Sequence, residues 1–427
     1  MNALASHLKT VLASRAWLTV ALLWVVALLN YLDRLIITTM RDPIKADIPM
    51  TDADFGLLTS VFLWVYGVFS PLGGFLADRF SRSRVIIGSL LIWSAMTWLT
   101  GHLRGFEGLL LARGLMGLSE ACYVPAALAL IADYHPGPTR SLATGLHMSG
   151  IYAGAAFGGV GGYIAEHFGW RAGFNLFGAF GVSYAVLTLF FLRDVAAPPA
   201  APGRQTDSPA AKADALDALA ALFSQPAFLL LMGINALVGV ANWGIYGWLP
   251  TYLKEHFRLG LGAAGMTATG YIQVASFVGV LVGGVWADRW SRTQPRARAL
   301  VPAIGYCVVA PCLFFSVTTD LLPLAVAGLI VFGIGRAFFD ANHMPILRYI
   351  TEQRYSATGY GFLNLISCIT GGFMIFLGGW FKNAHVDLSR VFQFSAGGLL
   401  VVGLLLFAMK RRPAAEVFVR SPPRFPT

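Results

Sequence analysis

The chain predicts an all-α membrane protein: twelve transmembrane helices in two pseudo-symmetric six-helix bundles. Three observations carry that prediction. The first is composition. The 427 residues are 56% hydrophobic and only 12% charged, with 31 Phe and 11 Trp. Most apolar stretches exceed the roughly 18 residues that mark a membrane-crossing helix. The second is a repeated signature. Gly74-Phe75-Leu76-Ala77-Asp78-Arg79-Phe80-Ser81-Arg82 recurs as Gly284-Val285-Trp286-Ala287-Asp288-Arg289-Trp290-Ser291-Arg292, 210 residues later and again just after a long apolar run. Two copies in matching places make the chain two homologous halves. The third is the spacing of the apolar segments, which number twelve.

In chain order, the first segment, 17–39, has no small-residue cleavage site and runs on into Asn30-Tyr31-Leu32-Asp33-Arg34, so it stays as a helix rather than a removed leader. The second, 53–77, leads into the first signature. The third and fourth are 84–102 and 107–132, the latter carrying Arg113, Glu120 and Pro125. The fifth, 140–165, opens on Arg140-Ser141-Leu142-Ala143-Thr144-Gly145 and contains Gly158-Gly159-Val160-Gly161-Gly162, glycines suited to close helix approach and rocking. The sixth is 171–192. Residues 195–221 are rich in Ala and Pro and read as a linker, with a short surface helix over 210–223. The second half follows as 226–252, 263–287, 299–317, 321–346, 356–380 and 389–409. Its eleventh span opens on Arg354-Tyr355-Ser356-Ala357-Thr358-Gly359, matching the fifth. The expected division is therefore 1–194, linker 195–221, 222–412 and a tail, 413–427.

An even number of spans puts both termini on one side. Twenty of the 31 Lys and Arg residues fall on that side, against eight on the other, which places both termini in the cytoplasm. The formal charge of +10 thus orients the protein and does not recruit nucleic acid. The acid-plus-base turns Asp78-Arg79 and Asp288-Arg289 are expected to act as cytoplasmic latches, the carboxylate capping a neighbouring helix. Cys122, Cys307, Cys312 and Cys368 all lie in spans, with no pairing or zinc spacing. No nucleophile, metal cluster or phosphate loop stands out, so neither an enzyme nor a cofactor is expected.

A charge at mid-membrane costs about 2.5–3.5 kcal/mol even on insertion scales. Six such residues appear: Asp33 and Arg34, Arg113 and Glu120, Arg336 and Asp340. They sum to zero in each half. Arg113 and Glu120 are two turns apart on one helix face, about 10 Å, so each faces a partner elsewhere. Asp33 and Arg34 point about 100° apart, which allows the carboxylate to meet Arg113 while the guanidinium projects into a central cavity. Arg336 and Asp340 form an i,i+4 pair, equally readable as a structural bridge. Glu120 and Asp340 each stand five residues before a proline, Pro125 and Pro345, so they are repeat equivalents.

Over essentially its whole length the chain resembles the major facilitator superfamily. Within it, the first half is similar to the anion:cation symporters, carriers of sugar acids and sialic acid. The matching residues are Asn30-Tyr31 with Asp33-Arg34, Phe62, Trp64 and Tyr66 before Pro71, Gly73 and Gly74, Arg113, Gly117, Glu120-Ala121 and Pro125, Ser149-Gly150, Gly169-Trp170-Arg171, and Trp248, Pro250 and Tyr252-Leu253. The resemblance implies that Arg34 binds a substrate carboxylate with help from Tyr31 and Tyr66. It also implies that Asp33 and Glu120 carry protons and that Arg113 is their switchable partner. The repeat equivalence with Glu120 makes Asp340, with Arg336, a candidate second coupling pair. His147, Asn242, Tyr246 and Asn364 are expected to line the cavity. The run Arg336-Ala337-Phe338-Phe339-Asp340-Ala341-Asn342-His343 departs from the symporters, and Glu120-Ala121-Cys122-Tyr123 also resembles Spinster-type lipid carriers. The expected function is proton-coupled uptake of a small organic anion, such as a hexuronate, an aldonate or sialic acid, by a monomer in the inner membrane. The alternatives are a Spinster-like lysolipid carrier, a proton-coupled exporter, and a nutrient sensor that moves nothing.

Overall fold

The computed structural model describes residues 2–135, 139–195, 215–351 and 355–409, with the side chains of 2–14, 74, 75, 77, 78, 141, 215–218 and 357 outside the description. The tail 413–427, most of the linker, Arg354 and the side chain of Asp78 therefore lie outside the described residues.

The first crossing is α1 (Asn2–Leu35), prolonged by a 3-10 turn, Ile36–Thr39. A short α2 (Arg41–Asp47) turns the chain into α3 (Asp52–Arg79), whose first turn is fixed by reciprocal hydrogen bonds between Thr51 and Asp54. Next comes α4 (Arg82–Thr100). The fourth crossing is two helices, α5 (Phe106–Glu120) and α6 (Tyr123–Tyr134). Pro125 lacks the N–H that the Ala121 carbonyl would accept in a continuous helix, so the break falls directly after Glu120. The fifth crossing is also divided, into α7 (Arg140–Phe157) and α8 (Val160–Phe168), at Gly158-Gly159. Then follows α9 (Trp170–Phe191).

A short α10 (Ala215–Phe223) falls where the surface helix was expected and sinks Leu222 against Phe228. The second half comprises α11 (Pro226–His256), α12 (Leu261–Trp290), α13 (Ala297–Ser316), α14 (Leu322–Ile350), α15 (Ser356–Asn383) and α16 (Leu388–Ala408). Among the described residues, eleven crossings are single stretches apolar enough to span a membrane; the twelfth is the divided α7–α8. Gly158 and Gly159 keep right-handed helical dihedrals, so α7 and α8 continue one crossing, tightened where the glycines admit α12.

The two halves repeat one packing scheme. In the first, α1 packs on α7, α3 on α5 and α4 on α9; in the second, α11 packs on α15, α12 on α14 and α13 on α16. Each pair in the first half is the sequence counterpart of one in the second. The halves meet along two seams related by the same symmetry, α3 with α15 and α7–α8 with α12.

Contact along both seams is concentrated at the end away from the termini. Ser60 donates to the Gly372 carbonyl at 2.6 Å and Trp64 to that of Ile369 at 3.2 Å. Thr269 donates to the Ala156 carbonyl at 2.9 Å, and the Gly262 N–H, at the start of α12, donates to Glu166 at 2.9 Å. Gly159 lies so close to α12 that a Cβ there would stand 2.7 Å from the Gly265 carbonyl oxygen. Gly145 and Gly361, nearer the terminal end, face open space. The molecule is therefore shut on one side and open on the side of its termini.

That packing generates a contrast. Gly159→Ala should lower the melting temperature of the detergent-solubilised protein, because overpacking costs about 1–3 kcal/mol. Gly114→Ala, whose new methyl meets nothing within 4 Å, should leave the melting temperature unchanged or raise it. Equal effects of the two changes would mean that the Gly159 contact carries no stability.

Candidate functional site

Arg34 sits at the last turn of α1, 3% exposed. Its Nη2 donates to Glu120 Oε2 at 2.9 Å and to Asn30 Oδ1 at 3.4 Å. Four rings surround the guanidinium: Tyr31 and Tyr66 at 4.5 Å, Phe62 at 4.9 Å and Trp243 at 5.9 Å. An arginine out of water keeps its charge when aromatic faces replace hydration and a carboxylate neutralises it. The break after α5 leaves Glu120 on a helix end that meets α1. Of the residues expected to bind or couple, Arg34, Tyr31, Tyr66 and Glu120 thus come together. Phe62 and Trp243 were not assigned such a role from sequence. Each stands three or four residues before an expected site tyrosine, Tyr66 or Tyr246, and so shares its helix face.

Arg113 takes a different position from the one expected. It does not meet the Asp33 carboxylate. Its Nη1 and Nη2 donate to the backbone carbonyls of Asp33 and Arg34, both at 3.4 Å, with the Phe62 ring 4.8 Å away. Where α1 tightens into the 3-10 turn its last carbonyls lose helical partners, and Arg113 supplies donors and positive charge to that helix end. Asp33 points away from the chamber toward α4. It is fully buried, and neither carboxylate oxygen accepts a hydrogen bond, although the Trp93 N–H and Thr97 hydroxyl beside it are also unpaired. The 100° between adjacent side chains does separate Asp33 from Arg34, but Arg113 follows the backbone instead of the acid.

In the second half, Arg336 Nη1 lies 3.2 Å from Asp340 Oδ2, Nη2 donates to Ser276 at 3.3 Å, and the Tyr246 ring stands 5.6 Å away. Gln273 donates to the Tyr246 hydroxyl at 3.0 Å. The Asp340 side chain is 33% exposed, and Tyr360, whose ring neighbours that of His343 at 5.2 Å, is 41% exposed. Tyr360 stands in the second turn of α15 and Asp340 well inside α14, so the chamber is open from the terminal side as far as Asp340, while Glu120 and Asp33 are sealed. The repeat equivalents Glu120 and Asp340 both hold an arginine, one from another helix and one from its own.

Asn242 is nearly buried, with its side-chain oxygen unpaired. Asn364 accepts a long contact from the Cys368 thiol at 3.9 Å. His147 does not reach the chamber. It is fully buried, both ring nitrogens lack partners, and its ring meets the edge of Tyr123 at 5.9 Å. Helix packing between α1, α6 and α7 absorbs it. Of the latches, Asp288 pairs at 2.8 Å with Arg298 of α13, within its own half, and Arg79 and Arg289 are exposed.

The sequence model of the Major Facilitator Superfamily matches residues 23–374. An MFS-type efflux pump of Mycolicibacterium smegmatis is 29% identical, over 84% of this chain and 84% of the pump. Human protein spinster homolog 1 is 30% identical over 84% of this chain and 71% of that protein. A probable sulfoacetate transporter of Cupriavidus necator is 27% identical over 88% of this chain and 89% of its own. The crystal structure of a bacterial homolog of the human lysosomal transporter Spinster, inward-facing and unoccupied, superposes with a TM-score of 0.75 at 22% identity, over 92% of this chain and 95% of that one.

The two buried acids should respond in opposite ways to replacement. Glu120→Ala strands the Arg34 charge and should cost on the order of 3–5 kcal/mol. Asp33→Asn removes an unpaired acid, keeps its shape, and should leave thermal stability equal or higher. Melting curves of both variants check this; a large loss in Asp33→Asn would mean that the carboxylate is paired.

Proposed function

The chain belongs to the Major Facilitator Superfamily, and on that premise we propose that it is a proton-coupled carrier which takes up a small organic anion by alternating access. The single observation that carries the reading is the Arg34 guanidinium, enclosed by four aromatic rings and neutralised by Glu120. A cation held by one titratable acid can exchange that acid for a substrate anion at little net cost. Protonation of Glu120 removes its hold on Arg34, and the guanidinium fork then donates to two oxygens of a carboxylate or sulfonate. The proton and the anion bring opposite charges, so the loaded site is as neutral as the empty one and can rock across the membrane.

Asp33 stores a second proton. It is fully buried with the Trp93 N–H and the Thr97 hydroxyl of α4 beside it, so release of that proton is tied to rearrangement of α4 against α1. With the excess of Lys and Arg on the terminal side, both termini lie in the cytoplasm of a cell whose cytoplasmic membrane holds the protein. The present conformation then faces inward, with Arg34 returned to Glu120 after release of cargo. Tyr31, Tyr66 and Tyr246 orient the anion. Asp340 and Arg336 form the second coupling pair, at the open end of the chamber. The Asp78-Arg79 and Asp288-Arg289 turns act as latches when the inner side closes. One chain encloses the whole chamber, so a monomer suffices. The similarity to a probable sulfoacetate transporter supports a small acid as cargo.

A second reading is favoured by the similarity to spinster homolog 1 and to an efflux pump. In it the same aromatic box receives the headgroup of an amphipathic lipid, or cargo moves outward.

Proteoliposome flux decides between them. Arg34→Ala should reduce pH-driven uptake of glucuronate, gluconate, sialate or sulfoacetate by at least about tenfold, the loss of one charge-assisted hydrogen-bond pair. Glu120→Gln should keep exchange of anion for anion but lose accumulation driven by an acid exterior. Concentrative uptake that survives in both Glu120→Gln and Asp33→Asn would exclude coupling through these acids. Flux of a lysophospholipid with none of the acids would establish the second reading.

A further inference from the structure

The end of the molecule away from the termini is shut by charge. In α2, Arg41 is 7% exposed, donates from Nε to Asp52 at 2.9 Å and is paired with Asp42. Asp42 is paired with Lys254 at the end of α11. Arg41 also lies 3.6 Å from Glu255, which Lys382, at the end of α15, holds at 2.6 Å. With Lys45, which also pairs with Asp52, the cluster sets four cations against three carboxylates, and its Asp42–Lys254 and Arg41–Glu255 contacts cross between the halves. Burial works to raise the Asp42 carboxyl, but Lys254 and Arg41 outweigh it and hold the group below its ordinary value. A depressed value means that the pairing persists above the ordinary carboxylate range and is lost only as pH falls through the lowered one, so the cluster stays charged at mildly acidic pH.

Beneath it are two voids. One is lined by Arg34, Thr38, Thr59, Trp243 and Tyr246 among others, the second by Thr38, Arg41, Asp42, Thr251 and Lys254 among others. Each holds about 10 Å³, room for one water at most. They share Thr38. Together they trace a collapsed path from Arg34 to Arg41, walled in part by the hydroxyl-bearing residues Thr38, Thr59 and Thr251.

We propose that this cluster is the outer gate of the carrier and also its outer anion-binding site. When the halves part on this side, Lys254 leaves Asp42 and Glu255 leaves Arg41; Arg41 stays with Asp42 and Asp52, and Lys254 takes the anionic group of the cargo and passes it along the threonine path to Arg34. The exchange keeps the cations paired throughout, since a substrate carboxylate or sulfonate replaces a departing side-chain carboxylate. An excess of positive charge at a narrow mouth also raises the local concentration of anions. The proposal deepens the reading of the chain as an anion carrier and rests on it.

The test uses probes that are not substrates. Thr251→Cys, buried on the path, is exposed from outside intact cells to two membrane-impermeant methanethiosulfonates, one bearing a sulfonate and one a trimethylammonium group, with the parent chain and its four native cysteines as background. Asp42→Asn and Glu255→Gln, each loosening the gate and keeping its cations, should speed labelling and favour the anionic reagent further. Lys254→Gln should also speed labelling but lower the anionic-to-cationic rate ratio by about threefold or more at low salt, less at high salt. Unchanged rates in all three variants, or an unchanged ratio in Lys254→Gln, overturn the proposal. Failure of Arg34→Ala to affect acid uptake would instead sink the identification of the cargo and leave these labelling results standing.

Discussion

A cation that cannot lose its proton, placed where there is no water to solvate it, constrains the centre of this molecule. Arg34 is kept charged by Glu120 and by ring faces from α1, α3 and α11. Those helices belong to both halves. The central charge therefore makes the first half depend on Trp243 of the second, and any motion of one half against the other changes what surrounds the guanidinium. The proposed coupling of proton, anion and conformation rests on such a group, one whose partner can be exchanged but whose charge cannot be removed.

The surrounding architecture serves the same constraint. Two seams are related by the internal repeat, and glycines at the seams bring the backbones of the two halves close together at the closed end. Backbone breaks fall where neighbouring helices can satisfy the freed groups. The division after Glu120 aims that acid at α1, and the 3-10 turn after Arg34 leaves carbonyls that Arg113 fills. Arg113 thus stabilises the helix end that presents Arg34.

Charge is distributed by depth. Asp340 and Arg336 meet water from the open end, Glu120 and Arg34 lie beyond them, Asp33 is sealed behind α1, and the Arg41 cluster closes the far side. The proposed carrier cycle uses this grading of accessibility, each ion pair being traded for proton or cargo only when its own side is open.

The sequence by itself determined the membrane class, the repeat and the number of crossings, and it singled out the charges that lie within the spans. Each of these follows from local composition or from spacing: long apolar runs cannot be solvated, duplicated signatures mark duplicated halves, and a charge within a span must have a reason. Tyr31, Arg34, Tyr66 and Glu120 were legible because intramembrane charge and its neighbours are rare enough to stand out. Tertiary structure alone decided who faces whom. Asp33 turned to α4, Arg113 to a helix end, His147 into a packing interface, and Trp243 and Phe62 onto the guanidinium, because partner choice depends on how helices far apart in sequence are rotated and broken, and residue spacing within one helix carries no information about its rotation against another.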